Sequence, residues 1–255
     1  DRIVGEATVR MRLLAPGLTR VVLDLADASP ARQGRGMRVS AVTRGGKPLT
    51  FTHAADLLTI TLGAPAAAGD VVELVVRYAG IPADGLLIGP NKHGEPVLFG
   101  DNFPDRGRHW LPMIDHPYDK SACEFVVTAP EAYQVVAPGT QVETTNLTGN
   151  RRLTRYREDM PITTYSMVIG VGRFAVETVG LVDGVPIQSW VYPSERDPGF
   201  ADFRIALKPM ELFGWRVGPY SYKKLANVQS KTRYGGMENA SAIFYREGVV
   251  TGKGT

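Results

Sequence analysis

Near the end of the chain stands Gly235-Gly236-Met237-Glu238-Asn239, preceded by Lys231-Thr232-Arg233-Tyr234 and followed by Ala240-Ser241. The two glycines leave main chain without Cβ atoms, which another backbone can approach closely. A carboxylate comes two residues after the second glycine. An open strand edge beside a negative charge suits an extended peptide that adds a strand and presents its ammonium end. Within the pentad, Met237 is expected to pack, and Asn239 to fix the loop through side-chain hydrogen bonds. By themselves these five residues also fit a glycine turn with a solvated glutamate.

Whatever positions that segment is mostly strand. Ala7, Val9, Met11 and Leu13 alternate with Thr8, Arg10 and Arg12, the period of a strand with one buried face. Further strands are predicted at 21–25, 37–43, 49–52, 57–62 and 71–78, with Arg44-Gly45-Gly46-Lys47 as a two-glycine hairpin turn. After the Pro/Gly-rich stretch 80–96, strands resume at 124–128, 134–137, 141–145, 153–157, 167–171, 174–179 and 185–191. Strands punctuated by turns at this interval argue a β-sandwich or a curved open sheet. The pattern changes near Tyr192. Asp197 and Pro198 read as the N-cap and first residue of a helix whose apolar stripe is Phe200, Phe203, Leu207 and Met210, with Pro209 bending or restarting it. Strands at 225–230 and 242–246 flank the glycine pair. The division this predicts is an all-β domain over 1–192 and the opening of an α+β domain over 193–255.

Composition excludes several classes. Hydrophobic residues make up 44% and charged residues 22%, which is ordinary for a globular chain. No apolar run is long enough for a membrane helix. The net charge of +3 is small, and the densest basic group, Arg151, Arg152, Arg155 and Arg157, has no aromatic platform. It reads as a solvated strand and not a nucleic-acid surface. The single cysteine, Cys123, sits in an apolar run and reads as an inert buried thiol.

Three blocks, in order, carry a resemblance. They are Leu98 to Pro117, with its Arg108-His109-Trp110-Leu111-Pro112 and Asp115-His116-Pro117; Phe213 to Leu225, with Pro219-Tyr220 and Lys223; and Gly235 to Asn239. Together they resemble the aminopeptidase N family of zinc metallopeptidases, which includes leukotriene hydrolase, along essentially the whole chain. The resemblance implies a saddle-like β-sandwich domain followed by the first part of a thermolysin-like catalytic domain. It implies an exopeptidase in which Glu238 accepts hydrogen bonds from the α-ammonium of a peptide, while Gly235 and Gly236 offer main chain to the substrate strand. It also implies a leading strand upstream of Asp1.

One departure from the family pattern lies in Asp101-Asn102-Phe103. Where many members carry a polar side chain that helps to hold the ammonium, this chain has Phe103, which is expected to form an apolar wall, and Asp101 has the charge to compensate. Arg106, Arg108, Asp115 and Pro117 read as a structural crossing fixed by ion pairs. The family's zinc site requires His-Glu-x-x-His on a helix, with two ligands on one face and the glutamate activating water. His53, His93, His109 and His116 do not form it, and the resemblance places that motif beyond Thr255. The expectation is therefore an N-terminal portion of an aminopeptidase, inactive alone and without metal, whose partners are peptides with a free amino terminus and the catalytic remainder. Zinc belongs to the full-length protein. The alternative is a non-catalytic relative acting as a β-rich scaffold. Compartment is left open, with periplasmic or secreted placement favoured over cytoplasmic.

Overall fold

Alternation of apolar and polar residues builds the first sheets, as the period-two pattern requires. The computed structural model describes residues 1–253, so the last two residues of the predicted second domain lie outside the described residues. Two units separate by their internal packing: Asp1–Leu86 with Asn102–Asp119, and Leu87–Asp101 with the chain from Lys120 onward.

The first unit contains β1 (Ile3–Arg12), β2 (Leu18–Asp24), β3 (Gly36–Arg44), β4 (Lys47–Pro48), β5 (Phe51–Ala54), β6 (Leu57–Ala66) and β7 (Val71–Ile81). One antiparallel sheet runs β1-β7-β3-β4, and a second runs β2-β6-β5. The inward residues of both, among them Leu23, Leu58, Ile60, Val72 and Leu74, make one core. Full burial of each such side chain stabilises by roughly 1.5–3 kcal/mol. Arg44 pairs with Lys47 across Gly45 and Gly46, whose φ values are 53° and 77°. Positive φ at both central residues is what the predicted two-glycine hairpin turn requires. Of the predicted strand at 49–52, only Phe51 and Thr52 lie in a strand, β5, which pairs with β6; Lys47–Pro48 before it pairs with β3 in the other sheet, and residues 49 and 50 connect the two.

Arg108 fixes the later segment of this unit. Its guanidinium lies 3.3 Å from Asp115 and 3.2 Å from Asp24, and its backbone N–H donates to Asp115 at 3.0 Å. Burial pushes the Asp115 carboxyl up, against the pull of Arg108. The Arg108–Asp115 pair is the part of the predicted ion-paired crossing that the structure places.

The second unit adds β8 (Leu86–Pro90), β9 (Pro96–Gly100), β10 (Ser121–Pro130), β11 (Gln134–Val136), β12 (Thr140–Leu147), β13 (Arg151–Ile162), β14 (Gly170–Gly172), β15 (Ala175–Val182), β16 (Val185–Val191), β17 (Leu225–Ser230), β18 (Gly236–Met237) and β19 (Ala242–Arg246). They form sheets β11-β14-β9-β8, β10-β13-β12 and β15-β16-β17-β19-β18. Strand β8 lies inside the stretch read as a Pro/Gly-rich connection. Within the third sheet, β16, β17 and β19 are parallel, whereas β18 is antiparallel to β19.

A parallel pair needs a crossover. Helices α1 (Arg196–Phe203) and α2 (Leu207–Arg216) supply it between β16 and β17. Phe200 and Phe203 pack on Val191, while Leu207 and Met210 pack beside Ile187 and Leu225, as the apolar stripe predicts. The entry differs from the expected Asp197 cap. A 3-10 turn over Pro193–Glu195 runs straight into α1, so Asp197 and Pro198 fall in its first turn. A missing N–H costs no helical bond there. The interruption comes at a second 3-10 turn, Arg204–Ala206, and Pro209 occupies the first turn of the restarted helix.

Candidate functional site

The third sheet ends at β18. Arg246 N–H donates to Gly235 O at 3.3 Å, and the register sets Gly236 opposite Tyr245 and Met237 opposite Phe244. This makes Gly236–Tyr245 the non-hydrogen-bonded pair, so the N–H and C=O of Gly236 point away from β19 toward the open edge. Nothing among the described residues demands glycine here. Neither Gly235 nor Gly236 has a positive φ. A Cβ built on Gly235 meets no atom within 4 Å, and one on Gly236 meets the Tyr245 ring at 3.5 Å, an ordinary contact. The bare main chain therefore faces open space.

Met237 packs in the core with Phe99, Val228 and Phe244, as expected. Glu238 is exposed and has no ion-pair partner among the described residues. Burial, and after it the charge of Glu238, pushes the neighbouring Tyr245 phenol up. Asn239 corrects the sequence expectation. Its side chain is buried with neither amide atom hydrogen-bonded among the described residues. The loop is held by its backbone instead, N–H to Met237 O at 2.9 Å and C=O from Ala242 N–H at 3.1 Å.

Asp101 follows β9 and is fully buried. Thr232 Oγ1 donates to its Oδ1 at 3.3 Å, and Arg233 Nε lies 3.7 Å from its Oδ2. Thr232 and Arg233 lead into the pentad, so the structure brings Asp101 under the approach to β18. Phe103 belongs to the other unit, on the turn closed by Arg106 N–H to Asn102 O at 2.7 Å, and its ring is 40% exposed. Two residues at the pentad escaped the sequence reading. Tyr245 could have been found by pairing the predicted strand 242–246 against the glycines; Ser241, at φ 59°, has no such signal.

The described histidines are dispersed. His53 bonds Leu25 O, His93 bonds Glu195, and His116 accepts from Tyr118 N–H. No three His, Cys, Asp or Glu side chains among the described residues come together to hold a metal ion. The residues present do not fit a zinc site.

Comparison with known proteins agrees with this architecture. The chain is 26% identical over 226 residues to tricorn protease-interacting factor F2 of Thermoplasma acidophilum, covering 83% of this chain and 26% of that protein. It is 24% identical over 267 residues to leukotriene A-4 hydrolase of Xenopus laevis, covering 98% of this chain and 41% of that protein. The chain thus spans well under half the length of these relatives. Among solved structures, an M1 zinc metallopeptidase from Deinococcus radiodurans superposes with a TM-score of 0.76 at 24% identity, over 95% of this chain and 55% of that one. A mutant of a Deinococcus radiodurans M1 zinc metallopeptidase bound to a Tyr-Ser-Ala substrate gives a TM-score of 0.76 at 22% identity, over 95% and 55%. At these identities the likeness speaks for the fold. The sequence profile described as the peptidase M1 N-terminal domain matches residues 1–166, about two thirds of the chain, and with the β architecture and the relatives above it establishes that the chain belongs to the peptidase M1 N-terminal domain family.

Proposed function

We propose that this chain supplies the amino-terminal recognition part of a zinc-dependent aminopeptidase. A peptide lies along the outer edge of β18, its backbone meeting the N–H and C=O of Gly236, and its α-ammonium is held by Glu238. The chain contributes no metal ligand and no general base, and by itself it hydrolyses nothing. Asp101 acts from below by holding Thr232 and Arg233. The division of the chain at residue 192 belongs to the same reading, with the pentad in the second part.

One observation carries the reading: Gly235, just before β18, and Gly236, within it, are glycines that neither their φ values nor their contacts among the described residues require, and the exposed carboxylate that follows β18, Glu238, has no ion-pair partner among the described residues. The solved relative bound to Tyr-Ser-Ala lends the ligand class. A charge-assisted hydrogen bond at a chain end measures position along the peptide and not its side chain.

The test compares Tyr-Ser-Ala with its N-acetylated form on the full-length protein. Glu238→Gln is expected to lower kcat/KM for the free amine by roughly ten- to a hundredfold. Unchanged discrimination would remove the assignment. Stoichiometric zinc with chelator-sensitive aminopeptidase activity in the 255-residue chain would overturn the claim that it is inactive alone.

A further inference from the structure

Behind the pentad lies a buried lysine. Lys224 is 4% exposed, and its ammonium has three acceptors: Ala137 O at 2.8 Å, Gly139 O at 2.7 Å and Ser241 Oγ at 3.3 Å. The ring of Tyr156 faces it at 5.3 Å. An ammonium has three N–H groups, and all are used.

The acceptors belong to two loops that are rigid for independent reasons. Gly139 has a φ of 79°, and a Cβ there would collide with Arg157 O, so no other residue fits. Its N–H also donates to Ser241 Oγ at 2.7 Å. Ser241 is a non-glycine residue at φ 59°. That conformation costs on the order of 1 kcal/mol and persists only where its surroundings impose it. Its C=O accepts from Ala226 N–H at 3.0 Å, and its hydroxyl receives both Gly139 and Lys224. Ser241 is the third residue of the turn that opens at Asn239, immediately after Glu238, and is closed by Ala242 N–H to Asn239 O.

We propose that Lys224 is a positioning residue for the ammonium site: by tying Ser241 to the Ala137–Gly139 loop, it sets the direction in which Glu238 leaves the sheet edge. This rests on the reading of Glu238 above and extends it to a group that never touches substrate. A buried charge is a costly way to make a tether, and a methionine would fill the same space. Three directed bonds that join two loops are what a methionine lacks.

The tether depends on its proton. Burial pulls the Lys224 ammonium down to about 7, with the charge of Glu158 acting in the other direction. Glu158 and Tyr156 on β13 and Tyr220 ahead of β17 act on Lys224 or Ser241, and Tyr222 and Cys123 feel the charge of Glu158. Burial pushes all three phenols up, and it pushes the thiol up to about 12, so none of these four titrates near neutrality. A neutral amine retains two N–H groups and releases one of the three acceptors.

Amide signals of Asn239, Ser241 and Ala242 in the 255-residue chain test the tether without any ligand. They are followed by NMR between about pH 5.5 and 8.5, a range that brackets neutrality. A transition near pH 7 is expected in the wild type and is expected to vanish in Lys224→Met. The same transition in Lys224→Met, or Asn239 and Ser241 signals that coincide in the wild type and Lys224→Met at the acid end of the range, would overturn the inference. Ser241→Gly tolerates the same φ while losing the hydroxyl, so it keeps the test alive if Lys224→Met does not fold; it is expected to abolish the transition at Asn239. On the full-length protein, both variants are expected to reduce selectivity for Tyr-Ser-Ala over its N-acetylated form by roughly tenfold. If Glu238→Gln leaves that selectivity intact, the reading of the pentad falls. If Glu238→Gln removes it while Lys224→Met and Ser241→Gly do not change it, the role of Lys224 alone falls.

Discussion

Gly236 and Tyr245 face each other across the β18–β19 pair, and the tyrosine ring lies 3.5 Å from where a glycine Cβ would be. The ring is held from its other sides by Phe203, with centroids 5.2 Å apart, and by its hydroxyl donating to Asn227 Oδ1 at 3.3 Å. The wall beside the bare main chain is therefore fixed before any ligand arrives.

Alanine at either glycine separates folding from recognition. The space at Gly235 is open, and that at Gly236 meets only ordinary contact. Gly235→Ala and Gly236→Ala are therefore expected to change stability by less than about 1 kcal/mol. Each methyl group stands where a guest strand would approach, so the KM of the full-length protein for Tyr-Ser-Ala is expected to rise several-fold. Equal KM values with unchanged thermal midpoints would mean that no peptide uses this edge.

Asp101 is predicted to matter for stability first. Its removal leaves the Thr232 hydroxyl and the Arg233 guanidinium without a carboxylate they now share. Asp101→Ala is expected to cost about 2 kcal/mol. Asp101→Asn keeps an oxygen acceptor for Thr232 and is expected to recover part of that loss. Urea midpoints of the two variants decide it; a neutral Asp101→Ala would show that the carboxylate does not hold the approach to β18.

For Lys224 the linkage runs toward alkaline stability. The folded chain releases this proton near pH 7, whereas an unfolded lysine keeps it to about 10.5. Between those values the unfolded state binds more protons, so this group makes the fold more stable as pH rises through the window. Lys224→Met is expected to flatten that rise in the denaturation midpoint. A wild-type curve without the slope, or a variant that retains it, would contradict a buried ammonium.

Acid acts at the other unit. Arg32 holds the Asp56 carboxyl down to about 2, chiefly through their side-chain hydrogen bonds, against an ordinary value of 3.8. The stability this pair contributes is present above about pH 4 and is lost as pH falls toward 2. Both side chains are nearly one-third exposed, and solvent screens them. Asp56→Asn is therefore expected to move the acid transition by less than about 1 kcal/mol. A variant whose acid unfolding overlays the wild type would show the pair to be idle.

Much of this was legible in single segments, and little in their pairing. Residues 225–230 and 242–246 read as strands and form strands with those same bounds, because their side-chain patterns are local. Leu86–Pro90 also forms a strand, but Gly85 ahead of it and Gly89-Pro90 at its end make the segment read as a connection. That β1 pairs with β7, and β9 with β14, depends on contacts far apart in sequence. Periodicity does not encode such partners. At the site, Glu238 stands out by residue type and spacing, whereas nothing in the sequence separates Lys224 from its neighbour Lys223; burial alone distinguishes them. The choice at Asn239 between side-chain and main-chain anchoring was likewise decided by packing.

Strand β18 is only two residues long. An edge so brief gives a visiting chain one or two rungs at most, too few to hold the middle of a long polypeptide or to nucleate stacking of copies of the protein. On the proposed reading, selectivity would follow from meagreness: only a visitor that brings something extra, such as a charged tip, would stay.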